Sequence, residues 1–320
     1  MNEKMSMTAE VAAFVRAYHT AESGTICSDP LAIKLLGEKR YGQIADEMKA
    51  GRDWFLPGHS GTPEQALQRL QRMINQTLGP VVLARTAWWE QELHREMRMG
   101  LRQVVLLGAG LESLPYRQTA EMERLNFYEV DTPTVMAEKE KRLQQAAIST
   151  PGNVHRVEAD LTTEWEKVLQ ETSFDPQKRT LAALLGVVYY LPRPAMERLL
   201  DSLAHIMPRG SSLLFDCPMQ DFGKEEDATA QQKELAQQAG EGMKRGYTLL
   251  ELTLMLERYG FLIYEDLGAA EIEKRFYRAY NEEHSVRPVL PLPHTVLILA
   301  VRRQGHFAAG TWQDGAPVVK

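Results

Sequence analysis

Cysteine is scarce in this chain of 320 residues. The two cysteines, Cys27 and Cys217, lie far apart and outside any CxxC spacing. A disulfide framework needs more cysteines, and a structural zinc site needs a closer set of ligands. The sequence therefore predicts a protein of a reducing compartment that has neither disulfides nor a metal site.

The chain also lacks a basic cluster and a long apolar run. Its formal net charge is -6, whereas nucleic-acid binding depends on cationic surface. The longest uncharged apolar stretch, 181–191, is too short to cross a bilayer of about 30 Å. The first ten residues carry no apolar segment typical of a signal peptide. We therefore expect a cytoplasmic protein that binds neither nucleic acid nor membrane.

The sequence has two regions with different hydrophobic patterns. The first 100 residues carry apolar positions at helical spacing and few strand signals, and from residue 101 strands alternate with helices. Such alternation predicts a parallel sheet with helices on both faces. We expect a helical N-terminal lid over 1–100 and an α/β core over 101–320. A polar insert at about 218–247 follows a strand end, so it either covers a ligand site or forms a solvated surface helix. The expected strands are 104–107, 127–130, 154–158, 181–190, 212–216, 261–266 and 295–301.

The most informative stretch is 103–117, with the sequence QVVLLGAGLESLPYR. An apolar run that ends in Gly108 and Gly110 is typical of a buried strand and a tight turn against which a ligand can lie. Ser113 stands where a dinucleotide fingerprint has its third glycine. Asp131 ends the next strand, 21 positions after Gly110, a distance suited to binding ribose hydroxyls. The pattern predicts a nucleoside ligand, which need not contain a pyrophosphate.

Four motifs in order resemble those of a known family. They are VLLGAGLESLPYR at 105–117, YEVDTP at 128–133 with Lys139 after it, ADLT at 159–162 and GVVYYL at 186–191. The chain resembles the leucine carboxyl methyltransferase family, especially its bacterial branch of polyketide and other small-molecule O-methyltransferases. The resemblance implies a class I methyltransferase fold, which is a Rossmann-like, seven-stranded, mostly parallel sheet. It also implies S-adenosylmethionine as the cofactor.

The resemblance assigns cofactor contacts to residues near the strand ends. Gly108 and Gly110 would let the main chain run beside the methionine part, and Asp131 would accept hydrogen bonds from the ribose hydroxyls. Asp160 and Leu161 would form the adenine pocket. Each aspartate could instead be a helix cap. Asp131 would cap the helix that begins at Pro133, and Asp160 would cap the segment 162–169.

Two arginines complete the implied site, and one position departs from the family pattern. Arg16 and Arg85 match basic residues that hold a carboxylate of the cofactor or of a substrate, although a surface salt bridge is the alternative for each. The family usually has a glutamate at position 185, facing the ammonium group of the cofactor. Here Leu185 stands in its place, which allows a changed substrate or a degraded enzyme.

The predicted function is O-methylation of a carboxyl or phenolic hydroxyl of a small molecule. A carboxylate needs no base, a phenol would benefit from one, and no catalytic base can be named from the sequence. Tyr189, Tyr190 and Trp88 either line an aromatic substrate pocket or pack in the core. The alternatives are a nicotinamide-dependent oxidoreductase and a non-catalytic S-adenosylmethionine-binding homologue.

Overall fold

The computed structural model describes residues 6–22, 24–50, 62–223, 228–238, 240–244 and 246–303. Helices precede the first strand, as the sequence predicts, but the helix over 38–50 was not expected. Its buried face contains only Ile44, Ala45 and Met48 among mostly polar residues, so its apolar periodicity is weak. These helices are α1 (Met7–Thr20), α2 (Ala32–Leu36), α3 (Glu38–Ala50), α4 (Pro63–Arg72) and α5 (Gly79–Arg98), with a π-helical stretch, Met73–Leu78, before α5.

Seven strands form one sheet in the order β3-β2-β1-β4-β5-β7-β6. The first five strands pair in parallel, and β7 runs antiparallel to both β5 and β6. The prediction of seven strands in a mostly parallel sheet is therefore confirmed. The strands are β1 (Gln103–Leu107), β2 (Asn126–Asp131), β3 (Val154–Glu158), β4 (Thr180–Leu184), β5 (Ser212–Pro218), β6 (Phe261–Leu267) and β7 (Thr295–Arg302).

The sheet separates two apolar cores because successive strand residues face opposite sides. In β1, Val104 and Leu106 belong to one core, whereas Val105 and Leu107 belong to the other. The first core also contains α1 and α5, and the second contains α8 and α10. The remaining helices are α6 (Pro133–Gln145), α7 (Trp165–Gln170), α8 (Arg193–Ile206), α9 (Ala228–Gln238), α10 (Leu249–Arg258), α11 (Ala269–Ile272) and α12 (Arg278–Glu283), with a π-helical stretch, Glu273–Tyr277, before α12.

The fourth strand is shorter than the sequence predicts. The apolar run indicates a strand over 181–190, but β4 ends at Leu184 and a short 3-10 turn covers Val188–Tyr190. Between them Gly186 has a φ of +75°, a left-handed conformation that takes the chain out of the strand. Apolar composition alone does not reveal such a turn, so the prediction was wrong at this end.

No helix among the described residues has the length and apolarity needed to span a bilayer. Cys27 and Cys217 are both buried and unbonded. The division into a lid over 1–100, a core over 101–320 and a covering insert at about 218–247 stays a prediction. Part of that insert, including 224–227, lies outside the described residues.

Candidate active site

A cavity of about 320 Å³ opens at the carboxyl ends of β1, β2 and β4. The chain order of the sheet reverses between β1 and β4, and open α/β sheets bind ligands at such a point. The turns after β1 and β2 form the floor of the cavity, and the turn after β4 contributes residues to the rest of the wall together with α1, α5 and α9. Five of the seven residues with predicted cofactor contacts line it: Arg16, Arg85, Gly108, Gly110 and Asp131.

The glycine turn after β1 allows two close approaches. Gly108 and Gly110 have φ values of +76° and +44°, which residues with a side chain rarely adopt. A Cβ atom on Gly108 would lie 2.5 Å from Cγ2 of Val187, in the turn after β4. One on Gly110 would lie 3.5 Å from the Cβ of Ala9 in α1. The glycine at 108 is thus required by packing as well as by backbone conformation.

Asp131 lies at the end of β2 and braces this turn. One carboxylate oxygen accepts from the Gly110 N–H at 2.9 Å, and the other accepts from the Thr132 N–H at 2.8 Å. Burial raises the pKa of Asp131, and these two N–H groups oppose the shift. A carboxylate has about four acceptor sites, so it can still accept from a ligand hydroxyl. Contact with a ribose stays a prediction.

The buried ion pair between Lys139 and Glu129 supports the glycine turn. Lys139 of α6 donates to the Glu129 carboxylate at 2.6 Å and to the Glu112 carbonyl at 2.8 Å, and both ionic side chains are fully buried. The Tyr116 hydroxyl donates to the second Glu129 oxygen at 2.5 Å. This network connects α6, β2 and the segment that follows Gly110, so it fixes the shape of the cavity floor.

Arg16 has partners within the chain. Its Nε donates to Asp29 at 2.8 Å, and its Nη2 donates to the Leu111 carbonyl at 2.7 Å. Asp29 also accepts from the Ala32 N–H at the start of α2 and from the Ser113 hydroxyl. Arg16 therefore joins α1 to the glycine turn, and a role toward a ligand carboxylate stays a prediction.

Arg85 of α5 lies against the turn after β4. Its Nη1 donates to the Asp216 carboxylate at 3.0 Å, and the other Asp216 oxygen accepts from the Gly186 N–H at 2.6 Å. Asp216 is fully buried, whereas the Arg85 side chain is 13% exposed. The sequence analysis missed Asp216; the available signal was an acid within an otherwise apolar strand, 212–218.

The wall opposite the glycine turn is mostly apolar. It combines the start of α5 with the residue just before it, the turn after β4, α9 and the segment after α9, which are remote in sequence. Sequence reasoning did not bring these residues together because no local pattern connects them. The apolar members are Leu78, Val81, Val82, Leu185, Leu235, Ala236 and Met243.

The N-terminus of α1 is held to the segment after α9 by one carboxylate. Glu241 accepts from the Ser6 hydroxyl at 2.9 Å, from the Met7 N–H at 2.8 Å and from the Thr8 hydroxyl at 2.5 Å. Ser6, Met7 and Thr8 also line the cavity. We call this contact the clasp; it closes one side of the cavity, and no pattern in the sequence indicated it.

Asp160 and Leu161 do not line the cavity, although they follow β3 at the same sheet edge. Asp160 is exposed, and its carboxylate accepts from the N–H and the hydroxyl of Thr162 at 2.8 and 2.7 Å. Leu161 is half-buried and packs against the second core. Their roles in an adenine pocket stay predictions.

Of the three aromatic candidates, two reach the cavity. Tyr189 and Tyr190 line it, whereas Trp88 is fully buried and its indole N–H donates to Glu265. Burial raises the pKa of both tyrosine hydroxyls, so they stay protonated at neutral pH. Neither hydroxyl is therefore suited to act as a general base.

The sheet order, the antiparallel seventh strand and the glycine turn beside an acid-ended second strand define a class I methyltransferase. A family model described as "Leucine carboxyl methyltransferase" matches residues 9–204. This chain belongs to the leucine carboxyl methyltransferase family, and its class is that of the S-adenosylmethionine-dependent methyltransferases. The family predicted from the sequence is confirmed, and the nicotinamide-dependent alternative is not supported.

Individual relatives agree with this assignment. A Bacillus subtilis protein named "Putative S-adenosyl-L-methionine-dependent methyltransferase YktD" is 29% identical over 303 residues, which cover 91% of this chain and 97% of that protein. A Mycobacterium marinum protein with the same class name is 29% identical over 242 residues, 74% of this chain and 72% of its own. A DUF574 family protein from Streptomyces avermitilis shares the fold, with a TM-score of 0.50 at 13% identity, covering 93% of this chain and 98% of that one.

Proposed function

We propose that this protein transfers the methyl group of S-adenosylmethionine to an oxygen atom of a small apolar acceptor, preferably a carboxylate. The supporting observation is one cavity that joins the glycine turn and Asp131 to an apolar wall of remote segments. Binding sites of this kind are mostly apolar, with a few placed polar groups that fix orientation. The proposal assigns the polar floor to the cofactor and the apolar wall to the acceptor.

The residues of the floor, together with Arg85 of α5, fit this cofactor. Gly108 and Gly110 leave their Cα atoms bare beside the cavity, and Asp131 retains acceptor capacity for hydroxyl groups. Arg85 presents a guanidinium suited to a carboxylate. When bound, S-adenosylmethionine supplies an electrophilic methyl group on a sulfonium. The chain itself would hold the acceptor oxygen in line and keep water away.

The acid-base groups of the cavity favour an acceptor that arrives ionised. Glu112 and Asp131 line the described cavity, and each carboxylate already accepts two backbone N–H groups. None of the described lining residues is a histidine. A carboxylic acid ionises near pH 4 to 5, as Asp and Glu side chains do, whereas a phenol with a pKa of about 10 would need a base. A carboxylate is therefore the preferred nucleophile.

Calorimetry followed by a methyl-transfer screen tests the proposal. We expect S-adenosylmethionine to bind and NAD not to bind. In the screen, apolar carboxylic acids and phenols are offered separately, with transfer followed by mass spectrometry across pH. Carboxylic acids should react at a rate that is flat between about pH 6 and 9, because their oxygen is already ionised.

Other outcomes would change the proposal in defined ways. Binding without transfer to any acceptor would indicate a non-catalytic homologue. Preferential reaction of phenols, with a rate that rises with pH, would reject the carboxylate preference. Absence of S-adenosylmethionine binding would reject the proposed function as a whole.

A further inference from the structure

Asp216 is a fully buried carboxylate that methyl transfer does not itself require. It lies in β5, one residue beyond the register pair Leu184–Phe215, and therefore beside Leu185 at the end of β4. An ionised group is costly to bury unless it is paired and hydrogen-bonded. Both conditions hold, because its two oxygens accept from Arg85 and from the Gly186 N–H. The chain thus places an acid directly behind the cavity wall.

We propose that Asp216 is a positioning residue that holds the Arg85 guanidinium in place to bind a carboxylate of the bound ligand. This inference rests on the proposed function, because it names how one end of a ligand is recognised in the same cavity. Asp216 itself is not among the residues that line the cavity. It would act only through Arg85 and the turn at Gly186.

The guanidinium is fixed from two sides. Asp216 accepts from Nη1 at 3.0 Å, and the Cα of Gly186 lies so close to the guanidinium that a Cβ there would collide with it. The same Asp216 carboxylate holds the Gly186 N–H, so one acid sets both the position of the arginine and the turn against which it lies. Such a guanidinium has little rotational freedom to lose when it binds a ligand.

Arg85 also retains donors for a ligand. A guanidinium has five N–H donors, and Asp216 takes one of them among the described contacts. The other cation that lines the described cavity is Arg16, whose Nε and Nη2 already donate to Asp29 and to the Leu111 carbonyl. Arg85 is therefore the better placed of the two to bind a carboxylate with two parallel hydrogen bonds.

The side chain at position 185 adds no charge to this edge of the cavity, where Arg85 is the charged side chain among the described lining residues. Leu185 contributes an apolar surface to the cavity, and the nearby acid, Asp216, lies one strand farther on and behind the wall. A ligand at this edge therefore meets a guanidinium instead of a carboxylate. The geometry favours recognition of a carboxylate over recognition of an ammonium group.

Two carboxylates could fill this role, one on the cofactor and one on the acceptor. Calorimetry with S-adenosylmethionine and with decarboxylated S-adenosylmethionine, which keeps the ammonium group, tests the first source. We expect the wild type to prefer the carboxylate form by about tenfold or more, as for one charge-assisted bond. In Asp216→Asn this preference should shrink to about threefold or less, because the amide no longer holds Arg85 as an ion pair.

The acceptor is the second source, and kinetics identify it. If the cofactor preference is the same in Asp216→Asn as in the wild type, the KM for a carboxylate acceptor should rise by about fivefold or more. The value of kcat at saturation should change little in either case. Asp201→Asn, which changes an exposed acid on α8, is the matched control.

A double variant separates positioning from simple support of the fold. Asp216→Asn should add little to the loss caused by Arg85→Leu, because Asp216 acts through that arginine. If Asp216→Asn does not fold, Asp216→Glu gives the same readout, since it keeps the charge and displaces the carboxylate that holds Arg85. Unchanged cofactor preference together with unchanged acceptor KM, or fully additive losses, would overturn the proposal. Failure of the wild type to bind S-adenosylmethionine would instead reject the proposed function.

Discussion

The two walls of the cavity are built in different ways. The floor comes from one continuous segment between Gly108 and Asp131, and backbone N–H groups fix its polar side chains. The opposite wall gathers residues from the α1 N-terminus, the start of α5, α9 and the segment after α9. There a single carboxylate, Glu241, holds segments that are 235 positions apart.

The contrast implies that the two walls differ in how readily they accept substitutions. The floor should tolerate few substitutions at the glycines, which have a left-handed φ, and at Asp131 and Glu112, which accept from backbone N–H groups. The apolar wall depends on size and apolarity, which several side chains can satisfy. Changes in the floor should therefore affect cofactor binding, and changes in the wall should affect the acceptor.

The largest expected effect is that of Gly108→Val. A Cβ there would lie 2.5 Å from Val187, and the φ of +76° disfavours a branched side chain. We expect cofactor affinity to fall by about a hundredfold or more, because the turn must change shape to relieve strain and a clash that together cost about 3 kcal/mol. Calorimetry measures the loss, and thermal melting shows whether the variant folds.

Gly152→Val is the control for that variant, because no atom lies within 4 Å of a Cβ at this position. It should bind the cofactor as the wild type does. Normal cofactor affinity in folded Gly108→Val would contradict the assignment of the floor to the cofactor.

Asp131→Ala should be next in size. Losing one charged acceptor costs about 1.5 to 3 kcal/mol, so S-adenosylmethionine affinity should fall by at least about tenfold in a folded protein. Because burial raises the pKa of Asp131, wild-type affinity should also decline as the pH falls through that raised value and the carboxylate becomes protonated. The variant should lack this acidic decline. Equal affinities for wild type and variant across pH would remove Asp131 from the site.

Leu235→Ala tests the apolar wall with a smaller effect. Removing part of a leucine side chain that we propose contacts the acceptor should raise the acceptor KM by roughly fivefold, or about 1 kcal/mol, and leave cofactor affinity unchanged. Leu250→Ala is the matched control, because Leu250 lies on α10 with 67% of its surface exposed. If Leu235→Ala weakened the cofactor instead of the acceptor, the division between the two walls would be wrong.

The smallest expected effect belongs to the clasp. Glu241→Gln replaces a charged acceptor of three short hydrogen bonds by a neutral one, and it should speed release of S-adenosylhomocysteine by about threefold. Stopped-flow displacement measures that rate. Glu234→Gln, on the exposed face of α9, is the control. A release rate equal to that of the control would mean that opening of the clasp does not limit exchange.

Local sequence predicts the floor well and the opposite wall poorly. The glycines and Asp131 lie in adjacent strand ends, so alternation and spacing suffice to bring them together, and β3 begins and ends where expected, at Val154 and Glu158. The end of β4 was missed because the left-handed turn at Gly186 depends on a distant acid, Asp216. Neither that pairing nor the clasp has a local periodicity. The acid within an otherwise apolar strand was a signal for Asp216 but did not identify its partners, and the clasp had no signal in the sequence.

The clasp has a consequence for the order in which the protein folds during its synthesis on the ribosome. The acceptor, Glu241, lies 235 residues C-terminal to Ser6, which donates to it. At about 5 to 20 residues per second, the start of α1 waits roughly ten to fifty seconds after its own synthesis before Glu241 is made. A nascent chain can therefore complete the glycine turn and the first four strands long before this side of the cavity closes. The clasp itself therefore forms only after Glu241 has been synthesised.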